Sequence, residues 1–191
     1  MTAQARVEGA LEALASLAGA SKALAPQVAR VASRYAAVLR GGGTLYFCGN
    51  GGSAADAQHL ATEYVVRYSA ARRPLAAVAL TTDTSLLTAA GNDLGFDQVF
   101  ARQVEALCRP GDLLVLHSTS GQSANLLAAA RAARKRGVAT VAFLGRGGGA
   151  LAGEVDESVI VPDDATSRIQ VLHLVLEHVV VELVEAEVLR P

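Results

Sequence analysis

Thr44-Leu45-Tyr46-Phe47-Cys48-Gly49-Asn50-Gly51-Gly52-Ser53-Ala54-Ala55-Asp56-Ala57-Gln58-His59-Leu60-Ala61-Thr62-Glu63-Tyr64 is the stretch on which the reading of the whole chain turns. Residues 44–47 are apolar and rich in strand formers, and residues 54–64 are rich in alanine and free of Gly and Pro. The pattern predicts strand, glycine loop, helix. Such a loop presents backbone N–H groups at a helix N-terminus, where the helix dipole also favours an anion. Gly51 and Gly52 permit positive φ and close approach to a ligand. Ser53 is placed to cap the helix or to offer its hydroxyl to a phosphate. His59 and Glu63, four residues apart, share one helix face. Anion loop, imidazole and carboxylate on one element suggest a site for a phosphorylated small molecule. A capped helix with a surface His–Glu pair would produce the same string.

Working outward, strands alternate with helices. Residues 3–20 predict an amphipathic helix, with Val7, Leu11, Leu14 and Leu17 at helical steps. Residues 21–39 predict a second, with Pro26 in its first turn. Together, residues 1–40 form a helical hairpin, a packing arm or part of an oligomer interface, ahead of an α/β core over 41–191. Further strands are expected at 75–80, 113–116, 138–144 and 158–161. Further helices are expected at 86–90, 96–107, from the serine loop to Lys135, and at 166–189, with a break at 91–95. Near-continuous apolar strands alternating with helices imply one domain: a three-layer αβα sandwich around a five-stranded parallel sheet. Ligands in such sheets bind beyond the C-terminal strand ends. Two of those ends carry anion-type loops, Gly49 to Ser53 and Ser118-Thr119-Ser120-Gly121-Gln122-Ser123. The hydroxyl density of the second exceeds what one N-cap needs and favours a phosphate cradle. No lysine of Walker spacing accompanies it, which argues against nucleotide triphosphate hydrolysis.

Composition narrows the class. The chain has 191 residues, 51% of them hydrophobic, enough for a substantial core, and a net charge of −1 that leaves no nucleic-acid footprint. Arg131, Arg134, Lys135 and Arg136 read as a solvated helix end. Cys48 and Cys108 read as reduced thiols, Cys48 buried and inert. Arg6, Glu8 and Glu12 exclude a signal peptide or a membrane span at the N-terminus, so the expectation is a soluble, cytoplasmic protein. The last helix is apolar nearly all round, which predicts burial by its own domain and by a partner subunit. It carries Gln170 and His178 amid that apolar surface.

The chain resembles the sedoheptulose 7-phosphate (phosphoheptose) isomerases, a family of sugar-isomerase (SIS) domain proteins. The marks are Cys-Gly-Asn-Gly-Gly-Ser at 48–53, Gln-His with Glu four residues on at 58–63 and Gly-Asn-Asp with Gly-Phe at 91–96. Ser-Thr-Ser-Gly with Ser at 118–123 and Arg-Ile-Gln followed by His at 168–178 complete them. The likeness covers nearly the whole chain. It implies interconversion of sedoheptulose 7-phosphate and D-glycero-D-manno-heptose 7-phosphate, the first step of bacterial heptose synthesis for surface polysaccharide. It further implies a homotetramer with sites between subunits and one zinc per site, held by His59, Glu63, Gln170 and His178. The implied substrate-binding positions are Asn50, Gly51, Gly52, Ser53, Asn92, Asp93, Ser118, Thr119, Ser120, Ser123 and Gln170, with Glu63 added as the base.

An aldose–ketose exchange through an enediol needs a base to move a proton between C1 and C2 and an acid/base partner for the oxygens. Within the resemblance those roles go to Glu63 and His178, with Asp93 orienting hydroxyls and zinc polarising the carbonyl. Gln170 and His178 stand eight residues apart, about 12 Å of helix rise. One metal takes both only if the side chains lean together, the helix bends, or the two come from different subunits. His117 and His173 read as structural. A non-catalytic binding factor of the replication-initiator-associating type shares the fold and much of the serine loop, but has no need of the His59, Glu63 and His178 set. A sugar-phosphate-sensing regulatory domain would normally adjoin a DNA-binding module.

Overall fold

The computed structural model describes residues 1–188, so the expected end of the last helix at Leu189 lies outside the described residues. Five parallel strands run β1 (Leu45–Gly49), β2 (Ala77–Ala79), β3 (Leu113–Ser118), β4 (Ala139–Leu144) and β5 (Glu157–Ile160), in the spatial order β2-β1-β3-β4-β5. The helices are α1 (Ala3–Ala20), α2 (Ala25–Arg40), α3 (Gly52–Val65), α4 (Thr84–Asp93), α5 (Ala101–Leu107), α6 (Ala124–Lys135) and α7 (Thr166–Val188). Side-chain alternation along the strands divides the core in two. Leu45, Phe47, Leu113, Val115 and Phe143 pack under α2, α3 and α7, while Cys48, Leu114, Leu116 and Leu144 pack under α5 and α6. This is the expected αβα sandwich. Both faces of β3 are buried, which is why its sequence is continuously apolar rather than alternating.

The strand order reverses between β1 and β3. That switch point opens a crevice at the carboxyl ends of those two strands. The α3 helix follows β1 through a loop that requires glycine: Gly51 has φ 57° and ψ −122°, and a Cβ on Gly49 would come within 2.5 Å of the Ser53 carbonyl.

Several boundaries differ from expectation, each for a local reason. β2 is only three residues long, because it is an edge strand whose Val78 is exposed. α4 runs through Gly91 to Asp93 instead of ending at Ala90. Its start is fixed by Asp83, whose carboxylate accepts from the Leu86 N–H at 2.9 Å. The helix expected at 96–107 is a 3-10 turn at Phe96–Gln98 followed by α5. Residues 21–24 form a 3-10 turn ahead of α2, which places Pro26 in the first turn of the α-helix proper. β3 extends to Ser118 and so carries His117 into the sheet.

Arg131 and Arg134 pair with Glu154 at 2.9 and 3.2 Å while staying mostly exposed, and Arg136 donates to the Cys108 carbonyl, as a solvated helix end would. Both thiols are free and buried. Burial pushes the Cys108 thiol up to about 12 and Cys48 higher still, which leaves neither a nucleophile. No helix among the described residues is long and apolar enough to cross a membrane.

Candidate functional site

A cleft of about 330 Å³ occupies the switch point. Asn50, Gly51, Gly52 and Ser53 form one wall, and Ser118, Thr119, Ser120 and Ser123 form the other. His117 lies at its floor, and Thr166 and Gln170 of α7 close its third side. Three helix N-termini therefore meet at one small volume: α3 at Gly52, α6 just after Ser123, and α7 at Thr166. Their dipoles add a positive potential without a single lysine.

The hydroxyls are not consumed as caps. Ser123 precedes α6 without making a side-chain capping bond, and Ser53 lies inside α3 and does not cap it. Ser118 and Ser120 accept from the N–H groups of Gly121 and Gln122, which leaves each hydroxyl proton free to donate. Asn50 is fixed by a reciprocal amide pair with the buried Asn125, at 2.8 and 2.9 Å. Asn125 was not legible as a site residue, because an amide one position inside a helix carries no distinguishing pattern. Gly121 has positive φ, and a Cβ there would drive into the Gly148 carbonyl, so the serine loop depends on that glycine.

A second cluster lies further along α3 and α7, which run side by side in the same direction. At the first level, a Cβ on Gly52 would meet the Gln170 amide at 2.6 Å. About two turns on, His59 Nε2 stands 2.9 Å from His178 Nε2 and 3.3 Å from Glu63 Oε1. One ligand atom from each of His59, Glu63 and His178 fits within a 4.8 Å group. A tetrahedral zinc with ligands at about 2.0–2.1 Å requires donor–donor edges of roughly 3.3 Å. The two short separations are close to that edge, and two imidazoles with one carboxylate are a common catalytic zinc set. The residues fit the metal that the resemblance implies. Gln170 sits on the cleft level, against Gly52 and eight residues before His178.

Asn92 and Asp93 lie at the exposed end of α4, where the Asn92 amide donates to Asp93 at 2.7 Å. They do not line the cleft in this chain.

Beneath the cleft is a buried polar group that sequence reasoning did not assemble. His117 Nε2 and Glu177 Oε2 are 2.6 Å apart, with both side chains at 1% exposure or less. The imidazole lies between the Phe47 and Phe143 rings. Burial opposes the imidazolium, but the Glu177 carboxylate outweighs it and holds His117 above its ordinary value. Asp56, one turn before His59, is raised by burial, and its Oδ2 is buried without a partner. His173 is structural, as expected: burial pulls it down to about 4, and its Nε2 faces the Leu144 carbonyl at 3.0 Å.

The comparisons with known proteins bear on this geometry. Residues 11–145 match the family model described as SIS domain. A phosphoheptose isomerase of a Roseiflexus species is 55% identical over 161 residues, covering 84% of this chain and 82% of that one. The chain belongs to the phosphoheptose isomerase family. The Akkermansia muciniphila phosphoheptose isomerase is 51% identical over 177 residues, 93% of this chain and 90% of that one. The solved phosphoheptose isomerase of Neisseria gonorrhoeae superposes with a TM-score of 0.92 at 42% identity, over 97% of this chain and all of that one. Phosphoheptose isomerase membership accounts for the pairing of an anion cradle with an imidazole–carboxylate cluster. It disfavours the binding-factor reading.

Proposed function

We propose that the chain interconverts sedoheptulose 7-phosphate and D-glycero-D-manno-heptose 7-phosphate through an enediol. One observation carries this reading: the three-N-terminus cleft and the His59–Glu63–His178 cluster stand seven residues of α3 apart, about 10 Å of helix rise. An open-chain heptose 7-phosphate spans eight bonds from phosphorus to C1, about 10 Å at a projected 1.25 Å per bond. The phosphate end fits the cradle while C1 and C2 reach the cluster.

The phosphate is received by the Thr119, Ser120 and Ser123 hydroxyls and by the backbone N–H of Gly52, the Ser53 N–H being already spent on the Asn50 carbonyl. Thr166 and Gln170 face the middle of the sugar. Glu63 turns Oε1 toward His59, which leaves Oε2 to carry the proton between C1 and C2. His178 is the acid/base partner for the oxygens, a role open to its Nε2 only while that nitrogen is not held by a metal. Zinc is the cofactor this site suits, one per subunit on His59, Glu63 and His178, and it would polarise the carbonyl and stabilise the enediolate. A catalytic zinc site keeps a position open, here for a substrate oxygen or for Gln170 of a second copy.

The reading includes one SIS domain per chain and a cytoplasmic homotetramer. Supporting assembly, Val171, Val175, Val179 and Leu183 form an exposed apolar stripe at four-residue steps on α7, and Val7 and Leu11 do so on α1. A neighbouring copy would also supply surroundings for Asn92 and Asp93. The test is incubation with sedoheptulose 7-phosphate in deuterated water, followed by NMR. The expected result is a new aldose with deuterium at C2. Unchanged ketose, with and without added zinc, would overturn the reading in favour of a binding factor.

A further inference from the structure

Resting on that isomerase reading, we propose that Tyr68 is a positioning residue for the reaction, holding the His178 ring in place from a strap that Glu185 and Arg72 lock to α7. The strap is residues 66–73, which leave the C-terminal end of α3. Glu185 lies two turns after His178 on the same face of α7. Its carboxylate accepts from the N–H groups of Tyr68, Ser69 and Ala70, from the Ser69 hydroxyl, and from Arg72 Nε at 2.7 Å. The Arg72 and Glu185 side chains are 1% and 3% exposed, so this pair is out of solvent and fully partnered. Burial works against the Glu185 charge, yet the donors from the strap outweigh it and hold the carboxyl down to about 2.

The lock reaches both proposed acid/base groups. The Arg72 guanidinium donates to the carbonyls of Glu63 and Tyr64 at 2.6 and 2.8 Å. It therefore satisfies the last turn of α3 at the residue that carries the proposed base. Tyr68 stacks on the face of His178, with centroids 5.4 Å apart and planes 25° apart. His59 meets the same ring on its edge, at 66°. An imidazole on a helix surface turns about its last side-chain torsion over a broad well. The Tyr68 face holds the plane of the ring, and the 2.9 Å contact between the His178 and His59 Nε2 atoms selects which of its two flips is kept. The Tyr68 hydroxyl has no part in this, whereas the aromatic face is essential.

The experiment compares Tyr68→Phe and Tyr68→Leu with wild type, in kcat, KM, zinc affinity by competition with a chromophoric chelator, and the ring-proton shifts of His178. Tyr68 is over one-third exposed, so both variants are expected to fold, which melting temperature checks. Outer partners that hydrogen-bond a metal-site histidine are worth about 10–100-fold in affinity or activity, and a stacking contact is set at the lower end of that range, about 10-fold. Tyr68→Leu is expected to lose that much in kcat with little change in KM, to bind zinc more weakly, and to lose the ring-current shift of His178. Tyr68→Phe is expected to retain all of these. Wild-type kcat and an unmoved His178 signal in Tyr68→Leu would overturn the proposal, as would an equal loss in Tyr68→Phe. An inactive wild type would instead remove the isomerase reading, and the zinc and shift measurements would still decide the positioning role.

Discussion

His117→Leu is the substitution whose outcome the structure fixes most closely. Leucine suits the slot between Phe47 and Phe143 sterically, but it removes the only hydrogen-bond partner that the Glu177 carboxylate has among the described residues, and its Oε1 is already buried without one. Removing one partner of a buried ion pair costs about 3–5 kcal/mol. In a chain of this length 1 kcal/mol moves Tm by ~2–4 °C, so the variant should melt on the order of 6–20 °C lower.

The loss depends on pH with a definite sign. Burial raises Glu177, and His117 pulls it back down, so removing His117 lets it rise further. A carboxyl raised in the folded state binds more protons folded than unfolded, so stability falls as pH climbs past its ordinary value. The deficit should be smaller near pH 5 than near pH 7; at still higher pH the wild type also loses what its raised His117 contributes. Glu177→Leu leaves a neutral imidazole facing the Cys48 carbonyl at 3.3 Å and should cost less. The double variant replaces the pair by apolar groups and should recover most of the loss. Thermal melts of all three at both pH values are the assay. A single His117→Leu that melts with wild type near pH 7, or a double variant as weak as the single, would refute the reasoning.

Glu63→Gln should fold and bind sugar phosphate yet fail to turn over, checked by calorimetry beside a coupled assay; full activity would remove Glu63 as the base. Ser120→Ala with Ser123→Ala should raise KM, because each hydrogen bond to a charged phosphate is worth about 1.5–3 kcal/mol; an unchanged KM would move the phosphate elsewhere. Gly121→Ala should lower both the substrate affinity and the melting temperature, since φ is positive there and the clash is with the Gly148 backbone at the serine loop; a variant that matches wild type in both would refute this. Glu185, held down to about 2, contributes stability that is present above its ordinary value near 4.5 and lost as pH falls toward 2. The stability gap between wild type and Glu185→Gln, read from denaturant melts, should therefore close on acidification.

Much of this molecule was determined by local rules that a sequence displays. Strand runs, the glycine loop after β1, the hydroxyl loop after β3 and the helical periods each depend on neighbours within a few residues. The parallel sheet and the place of its cleft follow from them. His59 and Glu63 were legible as a pair because one helix turn separates them. Strand and helix ends at β2, α4 and α5 were less legible, because edge exposure and a side-chain cap decided them. What no local rule supplies is the register of α7 against α3. That packing puts Gln170 beside Gly52, His178 beside His59, Glu177 under His117 and Glu185 beneath the strap that carries Tyr68. The partners lie 60 to 119 residues apart in the chain, and side chains from two helices meet only when both pack on one sheet. The chemistry-bearing residues were therefore written in the sequence, and tertiary packing alone decided which of them share a site.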